Sequence, residues 1–541
     1  MAAQYFSRLA GVAVPLFSLR GEYDDGNGTI PDLTAFVDWL ERWHHRVVQL
    51  LPINEASPKE ASPYNAISAF AIDPTYISVR QLPDLLDSAA ARTWRETGPV
   101  ALRFAALRRD RHRHRQLAYA LKLHLLDLAF QQFRGSATAE RQARFEAFCR
   151  TQSWWLEDYA LFRALKERFN WASWEQWPAA LRRRDAAALR QAAADERQRI
   201  HFAQYLQWLA SEQWEQVRSH ARQRGVLING DLPFVCSRDS ADVWAHQELF
   251  DLSSSAGAPP DAFSESGQAW GLPLYDWAAL RRSGFAWWRR RARHARELYD
   301  VFRIDHLVGL YRTYGIPKGE GGTPGFVPPN QEDQLAQGRD LLQALLDEVR
   351  GEAAIVAEDL GVVPAWVRES LAELDIPGYK IFRWERSDGS YIDPRRYSPL
   401  SLATTGTHDT DTLVEWWNTL AESERSAVLA CLEQNDLTLA DDPTLAPELH
   451  LALLGRLYEA ASVLTVLPIQ DLFGWRERIN TPGTVNRRNW SYRVPVCTPE
   501  LDQFAPLRER MEALRDMIDR SGRNTLPVRQ PRRPEGRTYQ A

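Results

Sequence analysis

Short apolar runs of four to six residues recur along this chain, separated by helical stretches, and that alternation constrains its fold more than any other feature. Gly11–Pro15, Val47–Pro52, Val226–Asp231, Val301–Asp305, Ala354–Glu358, Tyr379–Trp384, Leu402–Thr405 and Val463–Leu467 read as strands one to eight. Amphipathic patterns fall between them, as over Leu33–Trp43, Gln334–Val349 and Ala365–Leu374. Strands that alternate with helices predict a parallel sheet, and eight of them predict an α/β fold of the (β/α)8 barrel type. The stretch 234–296 leaves room for one more strand.

The spacing is uneven, so the barrel is expected to carry large, mainly helical insertions. Residues 1–80 hold strands one and two, and 81–224 read as a charged helical insertion in which Leu117, Leu121, Leu125 and Leu128 share one face. Residues 225–233 hold strand three, and 234–296 form a second insertion carrying an active-site loop. Residues 297–525 hold strands four to eight and C-terminal helices, and 526–541, rich in Pro and Arg, read as a disordered tail. Lys318–Pro329 is a turn-rich stretch placed over the mouth of the barrel as a lid.

Composition narrows the function classes. The net charge of −5 argues against a dedicated nucleic-acid binder. The four cysteines are far apart and form no CxxC pair, which suggests neither a zinc site nor a disulfide framework and favours a cytoplasmic protein. The apolar stretch Leu9–Leu19 contains Pro15 and reads as a first strand rather than a leader. No apolar run is long enough to span a membrane. Most of the 21 tryptophans are expected in cores, although an aromatic plane also suits the CH face of a sugar.

Three strand ends carry acids roughly fifty positions apart: Asp305 in Phe-Arg-Ile-Asp-His, Glu358 in Val-Ala-Glu-Asp-Leu, and Asp409 in Gly-Thr-His-Asp-Thr. A pair of carboxylates at a barrel mouth is the equipment of glycosidic bond cleavage: one meets the anomeric carbon, the other protonates the leaving oxygen. Arg303, two residues before Asp305 and on the same strand face, would hold Asp305 ionised, which makes Asp305 the nucleophile candidate. Glu358, at an apolar strand end beside another carboxylate, is the acid/base candidate. His408 and Asp409 are candidates for gripping sugar hydroxyls. Taken singly, each acid is more often a cap or turn former.

Longer stretches carry a resemblance. Ser62–Ala71, Gly230–Pro233, Asp239–Trp244, Gly257–Ser264, Gly267–Gly271, Pro273–Trp277, Arg303–His306, Ala357–Gly361, Gly406–Thr410, Asn480–Thr484 and Asn489–Trp490 together resemble the amylomaltases, or 4-α-glucanotransferases, of glycoside hydrolase family 77. The resemblance implies Asp305 as nucleophile, Glu358 as acid/base and Asp409 as transition-state stabiliser. It implies sugar contacts from Tyr64, Asp231, Trp270, Arg303, His306 and His408, a loop over the cleft at Gly257–Gly271, and no metal or organic cofactor. Leu307-Val308, Leu272 and Ile72-Asp73 depart from the family pattern, and Arg312 is a replacement for the basic residue missing after His306.

The function expected is transfer of α-1,4-glucan segments between maltooligosaccharides or starch- and glycogen-like glucans by a retaining double displacement. An α-1,4-glucan hydrolase on the same scaffold is the alternative. The partners expected are glucans, not nucleic acid or membrane, with the chain a monomer or weak homo-oligomer. Two arginine-rich runs, Arg108–Arg115 and Trp287–His294, are the only feature that favours nucleic acid, and such runs are more often balanced helix faces.

Overall fold

The computed structural model describes residues 8–86, 98–260, 268–319, 322–433 and 444–525. Its centre is an eight-stranded parallel sheet: β1 (Leu9–Ala13), β2 (Val47–Gln49), β3 (Leu227–Leu232), β4 (Val301–Ile304), β5 (Ala354–Ala357), β6 (Gly378–Ile381), β7 (Ser401–Thr404) and β8 (Leu464–Pro468). The order is β5-β4-β3-β2-β1-β8-β7-β6, so chain neighbours are sheet neighbours throughout. The two ends meet where the Ala357 amide donates to the Pro377 carbonyl at 2.8 Å, which brings β5 against β6 and all but closes the barrel. The first strand begins two residues before the expected run and stops short of Pro15, which has no amide to donate. The expected strand Tyr379–Trp384 gives way after Ile381 to a 3₁₀ turn, Phe382–Trp384.

Alternate residues of each strand point inward. Leu9, Val47, Leu227, Val301, Leu402 and Leu464 are among the apolar residues packed inside the barrel as a plug. Above them lies a polar layer: the Asn229 amide and the Tyr379 hydroxyl both donate to Gln49 Oε1 at 3.2 Å. Two residues further along, Asp231 and Arg303 continue the same inward face, and the candidate catalytic acids follow.

Between β2 and β3 the chain forms helices that include Pro99–Arg109, Arg115–Ser136, Ala139–Thr151, Ser153–Arg168, Ala186–Asp195 and Arg197–Gln223. The apolar face of Arg115–Ser136 is displaced from the expected one. Ala118, Leu121, Leu125, Leu126 and Ala129 are buried, whereas Leu117 is 45% exposed and Leu128 half-buried. Strict four-residue spacing drifts around a helix of 3.6 residues per turn, which carries Leu117 off the buried stripe.

The described residues of the stretch 234–296 contribute short strands but none to the barrel. Ser254–Ala258 and Gln268–Ala269 join Thr313–Pro317 and Gly325–Val327 in a four-stranded antiparallel sheet. The stretch read as a turn-rich lid therefore contains a paired strand, and the two expected loops are one element. The tail 526–541 lies outside the described residues, as does the segment 261–267 of the Gly257–Gly271 loop.

The arginine-rich runs are engaged within the molecule. Arg115 pairs with Asp73 at 2.5 Å, and Arg113 lies over the Phe17 ring. Arg289 and Arg293 both reach Glu348, while Arg291 covers Trp288.

Candidate active site

The register of the barrel builds the site. Ile304 of β4 is paired with Ala357 of β5, so the next residues, Asp305 and Glu358, leave neighbouring strands side by side. Adjacent strands lie about 4.8 Å apart, which puts the two carboxyl groups across one narrow cleft. The chain continues to hold them there: the Asp305 amide donates to Leu232 O at 2.9 Å, and the Glu358 amide to Ile304 O at 3.1 Å.

Arg303 is the electrostatic hub. Its Nη1 donates to both oxygens of Asp231, at 2.8 and 2.7 Å, and its Nη2 to Asp305 Oδ1 at 2.7 Å. Burial alone would disfavour its charge, but the flanking Asp231 and Asp305 carboxylates hold it charged well beyond the ordinary arginine range. Asp305 is thereby oriented by a cation while its side chain remains 25% exposed toward the cleft. Tyr64, on the loop after β2, donates its hydroxyl to Asp231 Oδ2 at 2.7 Å. Burial, aided by the Asp231 charge, pushes the Tyr64 phenol well above its usual range, so it stays a donor.

Glu358 has the opposite environment. It is buried, and desolvation pushes its carboxyl up to about 8, with Asp305 adding to the rise and Arg303 opposing it. The His306 amide donates to Glu358 Oε2 at 2.7 Å, which leaves Oε1 to carry the proton. A carboxylic acid that keeps its proton at neutral pH, beside a carboxylate braced by arginine, is the division of labour that acid-assisted displacement at an acetal carbon requires.

The remaining candidates close the rim. The rings of Tyr64 and His408 stack with centroids 5.0 Å apart, and both touch Trp490, at 5.8 and 5.6 Å. Trp270, carried by the small sheet, meets His306 edge-on at 5.1 Å, and Phe234 packs on the same histidine. Asp409 lies beyond β7 with His408 Nε2 3.4 Å from its Oδ2. All nine sequence candidates are thus brought to one mouth of the barrel. A small cavity of about 30 Å³, lined among others by Arg303, Tyr379, Thr404 and His408, lies beside them. Among the described residues no cluster of three or more potential metal ligands occurs.

Sequence reasoning assigned no part to Phe234, Trp490, Arg478 or Asn480, although Asn480 and Trp490 lie in stretches that carried the resemblance. The departures from the family pattern are absorbed by packing. Leu307 and Val308 are buried, and Arg312 lies 4.1 Å over the Phe326 ring of the small sheet. Ile72 exchanges hydrogen bonds with the Gln207 amide, and the Leu272 carbonyl accepts from Ala256.

Comparisons with known proteins identify the family and the fold. The profile of the 4-alpha-glucanotransferase family matches residues 14–498. The 4-alpha-glucanotransferase of Chlamydia pneumoniae is 32% identical over 512 residues, covering 92% of each chain. That of Thermus thermophilus is 34% identical over 521 residues, covering 94% of this chain and 98% of its own. Among solved structures, the amylomaltase from Streptococcus agalactiae in complex with acarbose superposes with a TM-score of 0.80 at 26% identity, covering 96% of this chain and 100% of that one. The chain belongs to the 4-alpha-glucanotransferase family.

Proposed function

We propose that this chain is a 4-alpha-glucanotransferase in which Asp305 is the nucleophile and Glu358 the acid/base. The observation that carries the assignment is the pairing of opposite environments on adjacent strand ends: an arginine-braced carboxylate beside a buried carboxyl that holds its proton up to about 8. Asp305 Oδ attacks the anomeric carbon of an α-1,4-linked glucose while Glu358 gives its proton to the departing 4-oxygen. A glucosyl ester forms on Asp305, and the released chain leaves. The Glu358 carboxylate then takes the proton of an incoming 4-hydroxyl, whose oxygen displaces Asp305 and restores both groups. The close spacing expected from the register, roughly 5 Å, suits retention rather than inversion.

Asp409 and His408 grip the hydroxyls of the reacting ring. Tyr64, Asp231 and Arg303 form its polar floor, and Trp270 and His306 its acceptor-side wall. None of these steps calls on a metal or organic cofactor. Water is abundant, so transfer depends on holding sugar in the cleft while leaving water poorly placed. The small sheet over the mouth is suited to that task. Maltooligosaccharides and larger α-glucans are the expected partners, a reading supported by the arginines of both runs that pair within the molecule, such as Arg115 with Asp73 and Arg293 with Glu348. A cytoplasmic monomer or weak homo-oligomer fits four cysteines that form no disulfide and the absence, among the described residues, of any helix long and apolar enough to cross a membrane.

Maltotriose tests the reading. Transfer gives glucose plus longer oligosaccharides, whereas shorter sugars alone would establish a hydrolase. Asp305→Asn and Glu358→Gln should each lower turnover by roughly 10²–10⁴-fold with the fold intact, and parent-level turnover in either variant would reject the roles given.

A further inference from the structure

Asp305 and Glu358 are each the first residue beyond a paired strand, and the barrel fixes them. Asp409 has no such support. It lies past the end of β7 at Thr404, in a turn, with its side chain 45% exposed. A group that must meet developing charge to within a few tenths of an ångström cannot depend on a free turn.

The loop that follows β8 supplies the missing support. The Asn480 side-chain amide donates to Asp409 Oδ1 at 2.6 Å. Arg478 Nη2 donates to the Asp409 carbonyl at 2.8 Å, its Nη1 pairs with Asp411, and its Nε donates to the Asn480 carbonyl at 3.1 Å. The Asn480 amide donates in turn to the His408 carbonyl at 3.1 Å. The far side of the loop is closed on itself. The Asn489 side chain accepts from the Thr481 amide and donates to the Thr484 carbonyl, and the Trp490 amide donates to Ile479 O at 2.7 Å while its ring meets Tyr64 and His408. One side-chain donor therefore holds one oxygen of Asp409, one guanidinium holds its backbone, and a tied loop holds both donors.

We propose that Asn480 and Arg478 are positioning residues, a clasp that aims the Asp409 carboxylate at the sugar. The proposal rests on the reading of Asp409 as the group that stabilises the transition state. Asn480 donates to Oδ1 and leaves Oδ2 toward His408, so the carboxylate loses its rotation. Removing the donor leaves substrate contacts in place and misdirects the charge, which lowers turnover more than binding.

The test compares the parent with Asn480→Ala and with Asn480→Gln, which keeps the amide but displaces it by one methylene and so guards against mere unfolding. Both should lower kcat on maltotriose by roughly 10- to 100-fold, with KM within about threefold of the parent. First-turnover fluoride release from α-maltosyl fluoride should fall by a similar factor. In that step the C1–F bond breaks, the bond to Asp305 forms and fluoride leaves without a proton from Glu358. In an Asp409→Asn background, Asn480→Ala should cost nothing further, because the two act through one group. Parent-level kcat in both variants, full recovery with the fluoride donor, or losses that simply multiply in the double variant would each overturn the clasp. If Asp409→Asn itself turns over at the parent rate, the role given to Asp409 fails and the clasp falls with it. If Asp409→Asn is crippled and the Asn480 variants are not, the clasp alone fails.

Discussion

His306 holds its backbone at φ 45°, a left-handed conformation that a residue with a Cβ adopts only when its surroundings insist. The amide so placed meets Glu358 Oε2, while the ring is fixed between Phe234 and Trp270. Position and protonation of the acid thus come from two sources: a strained amide fixes which oxygen is free, and burial keeps the proton on it. The pH dependence follows with a definite sign. Below about 8 Glu358 is protonated and can act as an acid, and above it the proton is lost. On maltotriose, kcat/KM should decline on the alkaline side with an apparent pKa near 8. Replacing Asp305 with Asn removes a neighbouring negative charge, so direct titration of Glu358 by NMR in Asp305→Asn should give a lower value than in the parent. An unchanged or higher value would mean that the two carboxyls do not sense one another.

Among the elements, the small antiparallel sheet joins parts that the chain keeps far apart, since Ser254–Ala258 precedes β4 and Thr313–Pro317 follows it. Gly257 lies at its tightest point. A Cβ there would come within 2.0 Å of the Gln268 carbonyl, so even alanine must push the Gln268–Ala269 strand away. That strand leads directly into Trp270, whose amide is held by Ala256 O at 2.9 Å. Gly257→Ala should therefore leave the barrel carboxylates undisturbed yet loosen the acceptor wall, raising the glucose yield relative to longer products from maltotriose. An unchanged product ratio would place control of water elsewhere. Most barrel strands were legible in the sequence because they are buried on both faces and so read as short, mainly apolar runs, and the acids at their ends followed. This sheet was not legible. Its strands are short and broken by Gly, and its central pairing joins segments some sixty residues apart, Ser254 with Pro317, so Lys318–Pro329 read only as turns. Arg478 and Asn480 were hidden for the same reason: a polar residue in a loop carries no period, and only the fold brings it to Asp409.

At the scale of the whole molecule, the helical insertion does more than cover β2 and β3. Glu55 begins the loop that presents Tyr64, and its backbone ties that loop together by accepting from Ile67 and donating to Ala71. The side chain is wholly buried against the insertion: Oε1 accepts from Arg163 Nε at 3.0 Å, and the Tyr159 hydroxyl donates to Oε2. Arg163 in turn reaches Glu167 at 2.6 Å and the Tyr119 hydroxyl at 3.2 Å, so two insertion helices, Arg115–Ser136 and Ser153–Arg168, brace one catalytic loop through a single ion pair. Such a pair is weak evidence for stability as a whole, because desolvating both charges offsets most of their attraction, but breaking it is costly. Arg163→Met leaves the Glu55 carboxylate buried without its cation and should destabilise the protein by about 3–5 kcal/mol in urea unfolding. Adding Glu55→Gln to that variant removes the stranded charge and should recover most of the loss. Tyr64 should be freed in both cases, since neither restores the brace, so KM for maltotriose should stay raised in the double variant even as stability returns. If stability and KM recover together, the pair serves folding alone, and the insertion has no part in presenting Tyr64 to the sugar.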